Sequence, residues 1–360
     1  MRAFLAAWLA VMLYPQSPTG KVALSLDLAI QETDGILFGQ LADLAANSKN
    51  MIYVLDSSEK TIYKYSEDGQ FLRRLGRSGQ GPGEFQQPRS VYIDSKDHVY
   101  VLDKSNRRIE VFDSNDEFLR SIKILTFPTG NSIGLTVSDN GEIYLSGYYP
   151  NDDTLLCQFS PKGDLVKKFP LPIIEYTGLT LDDHSQRIVN QYLAGGSLYV
   201  SRSGLIFFSY SWPYRIMVLK GDGMEPLPLR KEDAVNWTPF IFRTNQVNGM
   251  LFGGFTHALK VFNSSRGYVV HSILAFDWEG DPRRVIDMPI AERDRGKYFK
   301  VIGKFAVLHF YTETANPAGS VKVDGDVRLL GSDAKGRILG IRLDKEDMPK
   351  IVRYTVSGLR

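Results

Sequence analysis

Short apolar segments separated by turn residues recur in the N-terminal part of the chain at a spacing of 47 residues. The segment 52–56 aligns with 99–103, and the segment 62–65 aligns with 109–112. Such segments either alternate between apolar and polar residues or remain apolar over a few positions, as strands do when one or both faces are buried. The pattern therefore predicts a repeated unit of short β-strands.

A repeat of about 40 to 50 residues built from short strands is typical of a β-propeller, in which each repeat forms one four-stranded blade. Weaker copies lie near residues 143, 205, 268 and 327. The sequence therefore predicts an all-β fold, a six-bladed β-propeller. Additional apolar segments within 296–326 leave seven blades as the alternative.

The two ends of the chain predict how the ring closes. The last copy of the repeat stops at its third strand, near 352–356, while an apolar run at 22–28 precedes the first complete copy. An N-terminal strand that pairs with the C-terminal blade would complete that blade and remove two exposed sheet edges. We expect this strand to stabilise the fold by several hydrogen bonds.

The first twenty residues have the order of an export signal. Arg2 is followed by an uncharged apolar stretch over 3–14 and then by small or polar residues. This stretch is shorter than a membrane-spanning helix, and the order is typical of a secretory signal. We therefore predict a signal peptide over 1–20, a single propeller domain over 21–360, and a secreted or periplasmic location.

Composition narrows the classes of partner. The net charge is +2 and 43% of the 360 residues are hydrophobic, so neither a strongly basic nucleic-acid surface nor a charged tail is expected. Cys157 is the single cysteine, which excludes a disulfide within the chain. We expect a monomer with no transmembrane span that binds a protein, peptide or glycan.

Glycine and aspartate positions have structural explanations. The glycines at 79, 81 and 83 precede Pro88 and another strand, not a helix, so we interpret them as a crossing between blades instead of a phosphate loop. Asp56 and Asp103 end equivalent strands. Their repetition predicts that each carboxylate accepts backbone N–H bonds in the turn that follows.

A family resemblance rests on the segments 71–76, 79–85, 99–103 and 106–112, which look like NHL repeats. The resemblance is specific over 40–124 and weaker over 135–225. It implies a six-bladed propeller similar to secreted bacterial NHL-type and TolB-like proteins. That group contains binding scaffolds as well as lyases and metal-dependent hydrolases, so the resemblance does not imply one activity.

Arginine and aromatic residues indicate a binding face. In a propeller the loops between the second and third strands lie on the same side as the crossings between blades, and these loops converge on the central channel. Arginine and aromatic side chains are common anchors of binding surfaces. The predicted ligand-binding residues are Arg77, Arg89, Arg107, Arg108, Tyr148, Tyr149, Trp212 and Tyr214.

An enzyme is the alternative. Acidic loops on the same face could supply oxygen ligands for a hard cation such as calcium, the one cofactor that the sequence leaves open. That alternative predicts a metal-dependent hydrolase or lyase with its ion at the central channel. The candidate metal ligands are Asp152, Asp153, Asp182 and His184. The sequence identifies no catalytic residue, because its histidines are scattered and no nucleophile motif occurs.

Overall fold

The structure is a computed structural model that describes most of the first half of the chain and separate segments of the second half. The described residues are 22–31, 35–149, 154–169, 196–201, 204–210, 216–220, 223–226, 240–243, 248–251, 260–263, 269–280, 299–312, 317–324 and 326–359. Within these ranges every regular element is a β-strand.

The strands of the first half are short. They are β1 (Ala23–Ile30), β2 (Leu41–Ala46), β3 (Ile52–Asp56), β4 (Thr61–Tyr65), β5 (Phe71–Leu75), β6 (Arg77–Ser78), β7 (Glu84–Phe85), β8 (Pro88–Ile93), β9 (Val99–Asp103), β10 (Arg108–Phe112), β11 (Phe118–Lys123), β12 (Thr129–Val137), β13 (Ile143–Tyr149), β14 (Thr154–Phe159) and β15 (Leu165–Phe169).

The second half contains two longer strands, β23 and β24. The elements are β16 (Gly196–Val200), β17 (Ile206–Tyr210), β18 (Ile216–Lys220), β19 (Gly223–Pro226), β20 (Phe240–Arg243), β21 (Asn248–Leu251), β22 (Lys260–Asn263), β23 (Val269–Gly280), β24 (Phe299–Tyr311), β25 (Pro317–Asp324), β26 (Val327–Ser332), β27 (Ile338–Leu343) and β28 (Pro349–Ser357).

These strands form six four-stranded antiparallel sheets in the described residues. Five sheets use strands that follow one another in the chain: β2–β5, β8–β11, β12–β15, β16–β19 and β22–β25. The remaining sheet combines both ends of the chain in the order β1-β28-β27-β26. Each chain segment that leaves the outer strand of one sheet therefore crosses to the inner strand of the next.

The sheets form a closed ring around a central channel, the architecture of a β-propeller. The inner strand of each sheet contacts the inner strand of the next in the cyclic order β2, β8, β12, β16, β22, β26 and back to β2. The apolar core lies between neighbouring sheets: Tyr53 and Leu55 of one sheet pack with Val99 and Val101 of the next. This position explains why β3 and β9 are buried along their whole length.

The predicted closure by an N-terminal strand is confirmed. β1 pairs antiparallel with β28 from Ala23 opposite Ser357 to Ile30 opposite Ile351, with one bulge between Leu26 and Leu28. Ile30 is 3% exposed and packs in the core beside the first sheet. The two ends of the chain are therefore joined within one sheet.

The predicted alternative of a separate blade within 296–326 is wrong. β24 and β25 lie in that range, but they pair with β23 as the third and fourth strands of the sheet that begins at β22. The short β20–β21 ladder is not part of the ring of inner strands, since β16 contacts β22 directly. The extra apolar segments lengthen an existing sheet instead of adding one.

Candidate functional site

We define the crossing face as the end of the ring that carries the crossings between sheets, such as 76–87, and the loops between second and third strands, such as 104–107. The register places these segments together, because Asp103 at the end of β9 pairs with both Pro88 and Arg108. The turns between first and second strands and between third and fourth strands lie at the opposite face. Sequence reasoning located the candidate ligand residues at the crossing face.

The glycine-rich segment is a crossing from the outer strand β5 to the inner strand β8, as predicted. Gly76 has φ +71°, and a Cβ at this position would lie 2.1 Å from the Phe85 ring, so only glycine fits without a shift. The Glu84 carboxylate accepts bonds from the Gly81 N–H and from Arg77 Nε, both at 2.8 Å. The segment is therefore held by its own side chains.

Arg108 fastens the same crossing to β10. Its Nη1 donates to the Gln80 carbonyl at 2.8 Å, and its Nη2 donates to the carbonyls of Gly81 at 2.6 Å and Glu84 at 3.0 Å. Its Nε contacts the carboxylate of the buried residue Glu110. Burial raises the pKa of Glu110, and the hydrogen bond from Ser121 and the charge of Arg108 lower it in part. Arg108 therefore stabilises the crossing, and this geometry does not support its predicted contact with a ligand.

Asp56 and Asp103 both have a structural role, but the predicted backbone bonds in the turn that follows are found for Asp56 and not for Asp103. Asp56 accepts the N–H groups of Ser58 and Glu59 in the turn that follows, each at 3.1 Å. Asp103 instead accepts the N–H groups of Gln86 at 2.7 Å and Gln87 at 2.8 Å, in the crossing that precedes its sheet. Both carboxylates are fully buried. They anchor the crossing face and are not exposed for chemistry.

The remaining predicted binding residues differ in exposure. The Arg77 side chain is 82% exposed and pairs with Glu84, and Arg107 is exposed while its Nη2 donates to the Leu125 carbonyl at 2.5 Å. Tyr148 and Tyr149, two of the predicted ligand-binding residues, are both buried in β13. β13 lies between two neighbouring strands of its sheet, and Tyr149 packs in the core between sheets, where burial raises its pKa well above the usual value.

Several predicted residues lie outside the described residues. They are Trp212, Tyr214, Asp152, Asp153, Asp182 and His184. Among the residues that the structure describes, no three histidine, cysteine, aspartate or glutamate side chains are grouped so that they could hold a metal ion. The metal site thus stays a prediction from the sequence.

The central channel has a volume of about 530 Å³ and is lined by the inner strands of all six sheets. Three consecutive inner strands in the ring, β26, β2 and β8, place Arg328, Ala42 and Arg89 at their second position. This position lies next to the crossing face. The channel therefore presents two guanidinium groups near one mouth.

Arg89 is half-buried, and its Nε is buried without a hydrogen-bond partner among the described residues. Asp43, on the neighbouring inner strand, directs its Oδ2 toward Ser90 Oγ at 2.8 Å and the Val91 N–H at 3.2 Å. Leaving a cationic N–H donor unpaired inside a protein is unfavourable unless water or a ligand accepts its bond. Arg89 is thus a predicted site residue whose geometry leaves donor capacity for a ligand.

Arg328 was not found from the sequence. Its Nη2 donates to the carbonyls of Leu41 at 2.5 Å and Ala42 at 3.1 Å. The side chain is exposed to solvent, yet desolvation by the surrounding protein lowers the pKa of its guanidinium, an effect that the charge of Asp43 partly opposes. The one available signal was its place in the segment Val327–Ser332, where it matches Arg89 in Pro88–Ile93.

The opposite mouth is lined by acidic residues that are already paired. Asp97 accepts the Ser48 N–H at 2.8 Å and the Ser48 hydroxyl at 2.7 Å, and Asp333 pairs with Arg337 at 2.6 Å. Polar groups therefore lie at both mouths of the channel, with unpaired donor capacity at the crossing face and paired carboxylates at the other end, while apolar residues such as Leu44, Val91 and Leu135 also line its wall.

Comparison with solved structures shows the propeller fold. A protein from Bacteroides fragilis NCTC 9343 that carries a provisional name as an exported protein matches with a TM-score of 0.59 and 12% identity, over 95% of this chain and 98% of that one. A member of the DUF4221 family from Bacteroides vulgatus matches with a TM-score of 0.58 and 12% identity, over 93% and 98%. At these identities the similarity concerns the fold alone.

A virginiamycin B lyase from Staphylococcus aureus, in a catalytically inactive form with quinupristin, matches with a TM-score of 0.50 and 10% identity, over 93% of this chain and 99% of that one. In sequence, the domain family DUF4934, described as a domain of unknown function, matches residues 29–228. Comparison with curated proteins finds no match. In the described part of the chain, no helix has the length and apolar character needed to cross a membrane.

Proposed function

We propose that this chain, which belongs to the DUF4934 family of domains of unknown function, is an exported binding scaffold for a protein, peptide or glycan. The ligand approaches the crossing face and enters the central channel there. The crossing face is held rigidly by Asp103 and Arg108, which preorganises the residues around the channel mouth.

One observation carries this proposal. The channel has the volume of a small-ligand site, and Arg89 places a buried, unpartnered N–H donor on its wall, as judged over the described residues. The Nε of Arg108 is also without a hydrogen-bond partner, but it contacts the Glu110 carboxylate, and the other nitrogens of that side chain donate to three carbonyls. Among the described residues Arg89 has neither a hydrogen bond nor an ion pair of this kind. Arg89 therefore contributes more to a bound ligand than to the fold.

Export and architecture are part of the same proposal. We assign the ring as a six-bladed propeller of the NHL type, with one blade for each four-stranded sheet, and the segment 1–20 as a cleaved export signal. The provisional name of the Bacteroides fragilis neighbour as an exported protein supports the export assignment. We expect the mature chain to be a monomeric single domain over 21–360.

The enzyme alternative gains no support from the described geometry. A metal-dependent hydrolase or lyase would use Asp152, Asp153, Asp182 or His184, all outside the described residues. The fold similarity to a lyase does not transfer its activity at 10% identity. The enzyme alternative therefore stays a prediction from the sequence, whereas Arg89 and the channel volume support binding.

The test is a binding screen of the mature protein against glycan and peptide arrays, repeated with Arg89→Ala and Arg120→Ala. Arg120 lies exposed on the outer strand β11 and is the matched control. We expect Arg89→Ala to lower the affinity for the tightest-binding ligand about tenfold or more, because a charged hydrogen bond is lost. Arg120→Ala should bind this ligand with the affinity of the wild type. A ligand that binds Arg89→Ala as tightly as wild type would contradict the channel site.

A second pair of variants separates ligand sizes. A glycan or short peptide that enters the channel should depend on Arg89 and be insensitive to Arg107→Ala. A protein partner that covers the crossing face should lose affinity with Arg107→Ala as well, because Arg107 is exposed in the loop between β9 and β10. Thermal melts of all variants should match wild type, so that any loss reports binding.

A further inference from the structure

The arrangement of Arg328, Ala42 and Arg89 has a specific chemical meaning. Each residue follows the first residue of an inner strand. The pairing with the second strand is irregular at Ala42 and Arg89, whereas Arg328 pairs with Ile341 and the irregularity of its strand lies two residues further on. Neighbouring inner strands contact one another, so these three positions lie side by side around the channel wall. All three residues line the central channel, and we call the part of the channel wall between Arg328 and Arg89 the recess over Ala42.

Neither arginine loses its charge to a paired carboxylate in the described residues. Arg328 donates to the neutral carbonyls of Leu41 and Ala42, and the ion pairs among described residues include neither Arg328 nor Arg89. Asp43 is near enough to Arg328 to act on it electrostatically, but its Oδ2 accepts bonds from Ser90 and Val91. The recess therefore keeps a net attraction for an anion.

We infer that the recess over Ala42 binds a carboxylate group of the ligand between the guanidinium groups of Arg89 and Arg328. A planar guanidinium matches a carboxylate with parallel N–H bonds, and such charge-assisted bonds are stronger than neutral ones. The carboxylate can belong to an acidic sugar or to the C-terminus of a peptide, which share this chemistry. The inference rests on the proposed binding function and specifies its ligand.

The experiment follows the arginine Nε–H signals of the mature protein by nuclear magnetic resonance during titration with paired probes. D-galacturonate is compared with its neutral methyl ester, and N-acetyl-dialanine with its amide. Arg89→Lys and Arg328→Lys assign the signals. We expect the Arg89 and Arg328 signals to shift saturably with at least one acid and about tenfold more weakly with the matching neutral form. The pair that responds identifies the source of the carboxylate.

Variants test the site itself. Arg89→Gln should lower the affinity for the responding acid about tenfold while the remaining spectrum stays that of the folded protein. Ala42→Trp should block the recess and abolish the response. Because Ala42 also packs against the core between two sheets, this result counts only if the spectrum of the variant is that of a folded protein. Arg120→Gln, on the outer strand, should leave the affinity unchanged.

Two results would overturn the inference and have different consequences for the proposed function. Equal binding of acid and neutral forms, lost in Ala42→Trp, would leave the channel as a binding site but remove its preference for carboxylates. No saturable shift with either acid up to about 20 mM, above the millimolar dissociation constant expected of such small ligands, would remove the carboxylate site. In that case the array screen decides the proposed function independently.

Discussion

The carboxylate of Asp103 is the most informative single position for testing how the crossing face is built. It is fully buried and accepts three hydrogen bonds: from the Gln86 N–H at 2.7 Å, the Gln87 N–H at 2.8 Å and Asn106 Nδ2 at 2.7 Å. Asp103→Asn preserves the shape but replaces one oxygen by an NH₂ group. That group must face a donor, so at least one bond becomes a contact between two donors.

The size of the effect follows from these bonds. A hydrogen bond to a charged group contributes about 1.5–3 kcal/mol, and a buried donor left unsatisfied costs about 1–3 kcal/mol. The asparagine side chain can rotate to keep the better acceptor geometry, so the two effects are not fully additive. We expect Asp103→Asn to lower the free energy of unfolding by about 2–4 kcal/mol.

Equilibrium unfolding in urea measures this loss, and hydrogen exchange at the Gln86 and Gln87 amides shows whether it is local. Glu117→Gln is the control, because the Glu117 side chain is 70% exposed and its ion pair in the described residues is with Arg73 at 3.4 Å. Its expected effect is within about 0.5 kcal/mol. If Asp103→Asn were no more destabilising than Glu117→Gln, the anchoring role of Asp103 would be refuted.

Three further predictions concern stability. Gly76→Ala should lower the free energy of unfolding by about 2 kcal/mol or more, because it adds a clash with Phe85 to backbone strain. Gly35→Ala, at φ +75° with nothing within 4 Å of the added Cβ, should show the strain alone, about 1 kcal/mol. Equal effects of the two substitutions in urea unfolding would contradict the clash. The bonds from Lys335 and Arg337 lower the pKa of Glu67 from 4.5 to about 2, so its stabilisation is complete above pH 4.5 and is lost as the pH falls toward 2. Glu67→Gln should therefore destabilise the protein at pH 7 but approach wild type near pH 2 in urea unfolding at a series of pH values; a difference independent of pH would count against this pairing. Deleting 21–30 should cost several kcal/mol in the same assay, since β1 loses its whole ladder with β28 at about 0.5–1.5 kcal/mol for each bond, whereas deleting 1–20 should leave stability unchanged; a melt of the first deletion that matched full length would disprove closure by β1.

The repeat made much of the fold predictable, because one physical solution recurs every 47 residues. The bond from the Gly39 N–H to Asp56 and that from the Gln86 N–H to Asp103 join residues of identical separation in successive sheets. A repeated aspartate at a strand end is visible in the sequence, and its chemistry restricts it to such an anchor. Repetition thus distinguished structural carboxylates from candidate catalytic ones.

The site was less predictable, because it depends on which strands become neighbours around the ring. Arg89 and Arg328 are far apart in the chain, and only the closure through β1 and β28 brings their sheets to either side of β2. Tyr148 and Tyr149 were predicted as ligand-binding residues, but β13 is buried along its whole length, so burial there does not follow the alternation of a half-exposed strand. The local pattern of apolar and polar residues predicts neither the neighbours of a strand around the ring nor the full burial of β13.

The two faces of the ring differ in how their polar side chains are used, and this difference supports placing function at the crossing face. At the opposite face, polar groups join neighbouring sheets: Asp116 bonds Tyr53 at 2.8 Å and Lys64 at 2.6 Å, and Ser95 bonds Asp139 at 2.8 Å. Substituting these residues weakens contacts between sheets, so their chemistry is committed to stability. Arg89 and Arg107 have fewer bonds within the fold, and changing them should alter binding at little cost in stability. Different ligand-binding side chains at the positions of Arg89 and Arg107 are therefore compatible with the same ring, while Asp103 and Arg108 keep the crossing face in place.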